Sequence, residues 1–514
     1  MPDFRKYFKI RPYIIIGAFF IGFLVVGLGI FQDYGVHNDE YHNQGFGRRW
    51  TTYVANVVSA RSLSVPSPKL LPHDYVHGPA FEILLTALQD LFQLKDSRDI
   101  ILARHLMIFL MFYVGVIFFY LLCWRYFGDW RPAILGCVFL VLYPRIFADA
   151  FYNGVDISFL SVFIIGMFTL LVMLDKRTLL SVVIHAFVCA FLINIRLAGL
   201  FLPIVTVVFF CLEVWRLHLV EDRLSGLRML AGYLGSLIIL AFLLNPFLWA
   251  HPLANFTSLV EQGLNFKAWN SGRARYFGRY FELRELPWHY IWVWIFISIP
   301  VTYLALFFTG IVSSVKLFLM KGDHLYVMRR NVAIVLVCFL IPLILITGKA
   351  YNGWRHVYFI YPAMVLLLIM GIQHLWKDIR PFLRGVLTVG ILVALLDTAF
   401  FMIRTHPYQN MYFNSFVVQN TDGIINTFDL DYFGLSYRKA LEHILKTDND
   451  AVIPIGATST FRAGSSRRIL VPEDRKRLVV GDKKKAKYFL VTDMVLARTY
   501  QDKEYFTINK SVTI

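Results

Sequence analysis

At 514 residues, with 57% hydrophobic and only 17% charged, the chain carries more apolar side chains than a soluble fold can bury. Its net charge of +17 is spread over short stretches between apolar runs, which excludes a nucleic-acid patch and points to anionic lipid headgroups. The five cysteines (Cys123, Cys137, Cys189, Cys211, Cys338) lie inside apolar runs without metal-ligand spacing, so they organise neither a disulfide framework nor a metal site.

In chain order, the run Tyr13–Phe31 follows a basic tail (Arg5, Lys6, Lys9, Arg11) and lacks a small-residue cleavage site. It predicts an uncleaved first span with a cytoplasmic N-terminus. Residues 32–100 hold no run long enough to cross. Arg48–Ser64 places Trp50, Val54, Val57 and Val58 on one stripe, and Phe81–Leu94 is short and bracketed by Pro79 and Lys95-Asp96. Both predict helices lying on the outer membrane surface. Spans are then expected at 101–123, 132–146, 156–174, 178–195, 197–214, 228–249, 289–315, 332–347, 355–375 and 384–403, eleven with the first.

The basic residues test this topology. With the N-terminus inside, the inner connections carry Arg125 and Arg131; Lys176 and Arg177; Arg216, Arg223 and Arg228; Lys316, Lys321, Arg329 and Arg330; and Lys377, Arg380 and Arg384. Each has at least two, as the positive-inside rule requires. A spanning Phe81–Leu94 would invert everything after it.

The outer side receives the 32–100 loop, a 250–288 loop rich in Arg and aromatics (Arg273, Arg275, Tyr276, Arg279, Tyr280) and the tail 404–514. The tail has ordinary soluble composition. It predicts a helix over Ser436–Lys446 with Ser436 as N-cap, and strands at Ala451–Ile455, Tyr488–Val491 and Tyr505–Ile508. The expected fold is an α-helical polytopic membrane protein, with 1–403 a transmembrane catalytic domain and 404–514 a small extracytoplasmic α/β domain. No internal repeat of the transporter kind is visible.

Four places could carry chemistry. Asp39-Glu40 sits in GVHNDEYHN (35–43), between a span and a surface helix; an isolated acidic pair is more often a solvated loop, but His37, Asn38 and His42 crowd this one. Asp156, in YNGVDISF, stands at the outer mouth of a span, where it is either a helix cap or a charge facing a cavity. Arg196 interrupts an apolar stretch where two spans turn, as a snorkelling side chain or a phosphate clamp. Arg355-His356 opens RHVYFIYP with Tyr358 and Pro362 further in, as an interfacial anchor or part of the same clamp. His77, before Gly78-Pro79, reads as structural. No nucleotide-binding fingerprint is present, so an outer-face enzyme would need a donor delivered in the membrane.

Taken together these motifs resemble the GT-C class of membrane glycosyltransferases. The likeness is closest to the branch that holds the protein O-mannosyltransferases and the bacterial transferase adding aminoarabinose to lipid A. HNDEY (37–41) matches the acid after the first span, and YNGVDISF (152–159) the second acid. Arg196 matches a basic residue at a later span end, and Arg355, Tyr358 and Pro362 an R-x-x-Y-x-x-x-P run. His77-Gly78-Pro79 stands where the family often has basic-Pro-Pro, a departure that leaves the role of His77 open. The resemblance covers about residues 10–405 and implies a polyprenyl-phosphate sugar donor and a glycan, lipid or protein acceptor. It implies Asp39 as base, with Glu40 and Asp156 beside it, and donor-phosphate contacts from Arg196, Arg355, His356, Tyr358 and His77. No obligatory metal or other cofactor is expected. The implied location is a bacterial inner membrane with the site outside. The competing reading, from the same apolar architecture, is a transporter or flippase for a lipid-linked saccharide.

Overall fold

The structure is a computed structural model describing residues 12–63, 65–70, 74, 77–216, 220–264, 272–322, 325–346, 351–417, 424, 427–481 and 485–491, with the side chains of 214–224, 263–264 and 346 left aside. The basic N-terminal tail and the strand expected at Tyr505–Ile508 lie outside the described residues.

The helices follow the apolar runs. They are α1 (Pro12–Ile30), α2 (Glu40–Ala60), α3 (Ala80–Leu91), α4 (Ser97–Phe127), α5 (Trp130–Val141), α6 (Pro144–Tyr152), α7 (Gly154–Lys176) and α8 (Leu179–Ile193). There follow α9 (Phe201–Arg216), α10 (Val220–Leu243), α11 (Pro252–Leu264), α12 (Tyr290–Ser298), α13 (Val301–Leu319), α14 (Tyr326–Ile346), α15 (Tyr361–Asp378) and α16 (Pro381–Arg404). Among the described residues, α1, α4, α7, α10, α13, α14, α15 and α16 are long and apolar enough to cross a membrane. The protein is a multi-pass membrane protein. The α5–α6 pair, bent by 69°, makes a ninth, while α8 and α9 are apolar but shorter.

All eleven apolar runs fold as helices, and two of them break. The 132–146 run bends where Pro144 opens α6, and 289–315 splits at Pro300 into α12 and α13. A proline has no N–H to continue the preceding turn, so each starts a new helix. Burial sorts the bundle radially. α7 and α15 are 83% and 89% buried and form its centre; α1 and α10, at 11%, lie at its outside, α1 against α4 through Phe23 and Gly27 and α10 against α8. At the end of the bundle away from Asp39, Arg330 of α14 donates to Asp175 of α7 at 2.9 Å and to Glu213 of α9 at 3.3 Å. Arg125 and Arg177 complete the tie to the same two acids.

Two surface helices differ from expectation at their edges. α2 begins at Glu40, eight residues earlier than the apolar stripe predicts, because its first two turns (EYHNQGFG) are polar and glycine-bearing and carry no periodic signal. Its buried face is Phe46, Trp50, Tyr53 and Val57; Val58, expected on that stripe, is exposed. α3 lies against α2 and the start of α4.

The 250–288 loop forms an antiparallel hairpin, β1 (Arg273–Tyr276) with β2 (Arg279–Glu282), which the charged sequence did not announce. In the tail, β3 (Ile453–Ala457) is the centre of a parallel three-stranded sheet, flanked by β4 (Leu478–Val480) and β5 (Tyr488–Leu490). The helices α17 (Ser436–Thr447) and α18 (Thr460–Arg467) pack with it around Tyr437, Leu441, Ile453 and Leu478. The cap of α17 is not Ser436. Asp431 accepts from the backbone N–H groups of Leu435 (2.9 Å) and Ser436 (3.1 Å), satisfying two donors that an open helix end leaves bare.

Candidate active site

Asp39 is the N-cap residue of α2, yet its side chain makes no capping bond and is 38% exposed. Its carboxylate is among the charges acting on Arg355, Tyr351 and Tyr432, which places it over the mouth of the bundle. Glu40 points the other way. It is buried, accepts from the His37 N–H at 2.8 Å and lies 3.2 Å from His105 Nε2 on α4. Neighbours in sequence, the two acids are divided by the first turn of the helix: Asp39 faces out, and Glu40 pins the loop to the bundle.

His37 completes that loop. Its Nδ1 accepts from the Asp39 N–H at 3.0 Å, and its ring stacks on Phe433 at 3.8 Å. Burial holds the imidazole below its usual range, so the ring is neutral with the proton on Nε2. That buried Nε2 has no hydrogen-bond partner among the described residues.

Asp156, Arg196 and Arg355 meet. One Asp156 oxygen takes Arg196 Nη1 at 2.5 Å; the other takes Arg355 Nη1 at 2.8 Å and Asn153 Nδ2 at 2.9 Å. Asp156 is therefore not the helix cap. That role falls to Asn153, whose Oδ1 accepts from the Asp156 N–H at 3.2 Å and whose Nδ2 also reaches Asp149. Asp149 is held by the Tyr152 hydroxyl at 2.6 Å, so YNGVD folds as one turn that fixes two carboxylates. Two arginines on one aspartate leave a net positive charge. Arg355 Nε, buried and without a hydrogen-bond partner among the described residues, is a donor in reserve.

His77 works through its backbone. It forms an isolated antiparallel bridge with Arg196, and Gly78 and Ala80 donate to the carbonyls of Ile195 and Asn194. A Cβ on Gly78 would lie 2.2 Å from the Asn194 oxygen, which explains the glycine where the family resemblance expects proline. His356 packs edge-on against Tyr351 at 4.7 Å. Tyr358 packs edge-on against Trp354 at 5.1 Å and lines a narrow cleft with Asp149 and Arg355. Pro362 sits in the first turn of α15, after a 3-10 turn over Arg355–Ile360, inside the candidate span Arg355–Asp378.

The cleft also has walls with no local signature in the sequence. Asp429, Tyr432 and Phe433, from the stretch preceding α17, line it opposite Arg355, and the Arg355 guanidinium lies 5.2 Å from the Phe433 ring centre. This stretch is tied down on both sides: Arg438 donates to the Tyr34 carbonyl at 2.7 Å, and Gly35 passes so close to the Leu435 carbonyl that a Cβ would meet it at 2.2 Å. Nothing local in the run FDLDYFGLSYRKAL (428–441) says that it closes a site more than seventy residues away from Arg355. Among the described residues, no group of three or more His, Cys, Asp or Glu side chains could hold a metal ion.

Two measurable consequences arise here. Glu40→Ala should lower the unfolding temperature, because it strands the His37 N–H and His105; a lost buried acceptor costs about 1–3 kcal/mol. Glu40→Gln, which keeps an acceptor oxygen for His37, should recover much of that loss, and equal losses in both would show that the hydrogen bonds are not the cause. Asp429 accepts from the Arg275 N–H at 3.0 Å, yet burial pushes its carboxyl up to about 6. The folded chain then holds a proton that the unfolded one releases from about pH 4 upward. Stability tied to this group falls as pH rises through that window, and the cost is complete above it. Asp429→Asn should raise the unfolding temperature near about pH 7.5 and give little gain near about pH 4; a gain of the same size at both would rule out burial of the charge.

Among solved structures, the chain is similar to ArnT from Cupriavidus metallidurans bound to undecaprenyl phosphate (13% identity, 90% of this chain and 75% of that one, TM-score 0.47). It is also similar to the archaeal oligosaccharyltransferase AglB from Archaeoglobus fulgidus in complex with an inhibitory peptide and a dolichol-phosphate (13% identity, 91% and 65%, TM-score 0.46). No protein-family model and no curated protein matches the sequence.

Proposed function

We propose that the protein is an inverting GT-C glycosyltransferase, moving a sugar from a polyprenyl-phosphate donor to an acceptor hydroxyl on the outer face of the membrane. The observation that carries this is the meeting of Arg196 and Arg355 on Asp156 beneath an accessible Asp39. One end of the bundle thus holds a net positive, partly desolvated fork next to a carboxylate with no structural bond to lose.

The chemistry follows from those roles. The acceptor hydroxyl gives its proton to Asp39 as its oxygen bonds to the anomeric carbon, and the bond from that carbon to the donor's phosphate oxygen breaks with inversion. The departing polyprenyl phosphate gains charge. Arg355, through its unpartnered Nε–H, and Arg196 stabilise it, the kind of pre-aimed electrostatic help that usually dominates. Asp156 is a positioning residue: it holds both guanidiniums in a fixed plane so that little reorganisation is needed. The basic inner connections favour an N-terminus in the cytoplasm and the site outside, and cysteines that form no disulfide suit a bacterial inner membrane.

The test is transfer by purified protein in detergent micelles from a synthetic polyprenyl-phosphate sugar, followed by release of polyprenyl phosphate. A flippase needs two compartments and would show none. No release with any donor sugar and a mixed glycan, lipid and peptide acceptor pool would overturn the reading.

A further inference from the structure

A second cavity, of about 480 Å³, opens between the first two turns of α2 and the tail. Its size falls in the range of about 300–1,000 Å³ usual for sites that enclose a ligand. Tyr41, Gly45, Arg48 and Arg49 form one wall along a single helical stripe, and Phe461 and Arg468 form the other. It runs along α2 from Tyr41 to Arg49, about 12 Å of helix axis at 1.5 Å per residue. A ligand filling it is longer than one sugar ring, and Asp39 lies just beyond the lining, at the start of the same helix.

The charge in this cavity has one sign. Three arginines line it and no acidic side chain does. Arg49 leans on Asp74 at 3.2 Å and Arg48 on Asp90 at 2.6 Å, both from outside the cavity, and the Arg48 pair is about half exposed on each side. The exposed Arg48–Asp90 pair is weak and gives way easily to a better anion, whereas Asp74 is buried and also holds His42 at 3.0 Å. Arg468 has no carboxylate partner among the described residues; its guanidinium lies over the Tyr41 ring at 4.3 Å. Its backbone is fixed by the Ser97 hydroxyl, which donates to the Arg468 carbonyl at 2.8 Å, while Arg475 pairs with Asp96 at 3.0 Å. The far wall is therefore held in place before any ligand arrives.

Gly45 is the second observation. A glycine inside a helix costs about 1 kcal/mol relative to alanine. No packing requires it here, since a Cβ would meet only Arg49 Nη1 at 3.9 Å. The missing side chain leaves the floor of the cavity open.

We propose that this cavity is the acceptor subsite and takes a saccharide bearing phosphate or carboxylate groups. The arginines hold its anions in planar, forked contacts. Tyr41 and Phe461 offer flat faces to sugar rings, and a hydroxyl at the near end is presented to Asp39. The proposal rests on the transferase reading, and binding is measured apart from transfer so that each can fail alone.

The experiment is calorimetric titration of the full chain in detergent with three probes: trigalacturonate (carboxylate), a phosphorylated mannotriose (phosphate) and neutral maltotriose. At least one anionic probe is expected to bind at least about tenfold more tightly than maltotriose, and which one it is names the anion. Arg468→Ala and Gly45→Leu should each weaken that binding about tenfold or more, with unfolding temperatures confirming that both variants fold. Asp39→Asn should bind the probe as the parent does while failing to transfer. The assignment falls if neither anionic probe binds, if maltotriose binds as well, or if binding survives the Arg468→Ala, Gly45→Leu double variant. Anion binding without transfer to any acceptor would instead sink the transferase reading and leave the cavity standing.

Discussion

Asp39→Asn should abolish sugar transfer and leave the unfolding temperature where it was. General-base catalysis contributes about 10²–10⁴-fold, and an amide cannot take the acceptor's proton, so the loss should sit in that range in kcat. The fold should not notice. Asp39 makes no capping bond from its side chain, and the bond it does make, from its backbone N–H to His37 Nδ1, survives the change. Donor binding should also be near normal, because the arginines take their counter-charge from Asp156. A variant with full turnover would move the base elsewhere. The contrast with Glu40 sharpens the test: removing the buried neighbour should cost stability first, and activity only as the loop that presents Asp39 loosens.

The second large effect is expected at Asp156. Asp156→Asn leaves Arg196 and Arg355 facing each other with no carboxylate between them, and Arg355 is buried. Removing one partner of a buried ion pair costs about 3–5 kcal/mol, chiefly from the stranded charge, and here two charges are stranded. The variant should unfold at markedly lower temperature and lose transfer. Arg355→Lys separates the two consequences. It keeps the positive charge, so stability should fall less, but an ammonium cannot hold the planar fork; loss of an aimed donor of this kind typically costs about 10²–10³ in kcat. Thermal unfolding and single-turnover transfer on the same preparations check both. An Asp156→Asn protein as stable as the parent would mean that the guanidiniums find water instead.

What was legible along the chain is what solvent decides locally. Apolar runs in lipid must satisfy their own backbone groups and so become helices, which is why all eleven runs are helical, with breaks where Pro144 and Pro300 remove a donor and a kink at Val357. Charges at run ends stood out for the same reason: burying them is costly, so Asp39, Asp156, Arg196 and Arg355 were visible as exceptions to the pattern around them.

Their partners were not visible. Whether Asp156 capped a helix or took two arginines depended on Arg355, 199 positions away, and no local period encodes that distance. Which of two adjacent acids faces the site was set by where α2 begins, a polar start with no stripe to mark it. The tail gave up its helix and two of its strands to simple patterning, yet Tyr432 and Phe433 became a wall of the cleft only because Gly35 and Arg438 dock the tail onto the first loop. Sequence determined the membrane architecture and the charged residues gathered at one end of it, since solvation acts on each segment alone. The tertiary structure decided which charges pair, which carboxylate stays free and what closes over them, since those follow from contacts between segments that the chain keeps far apart.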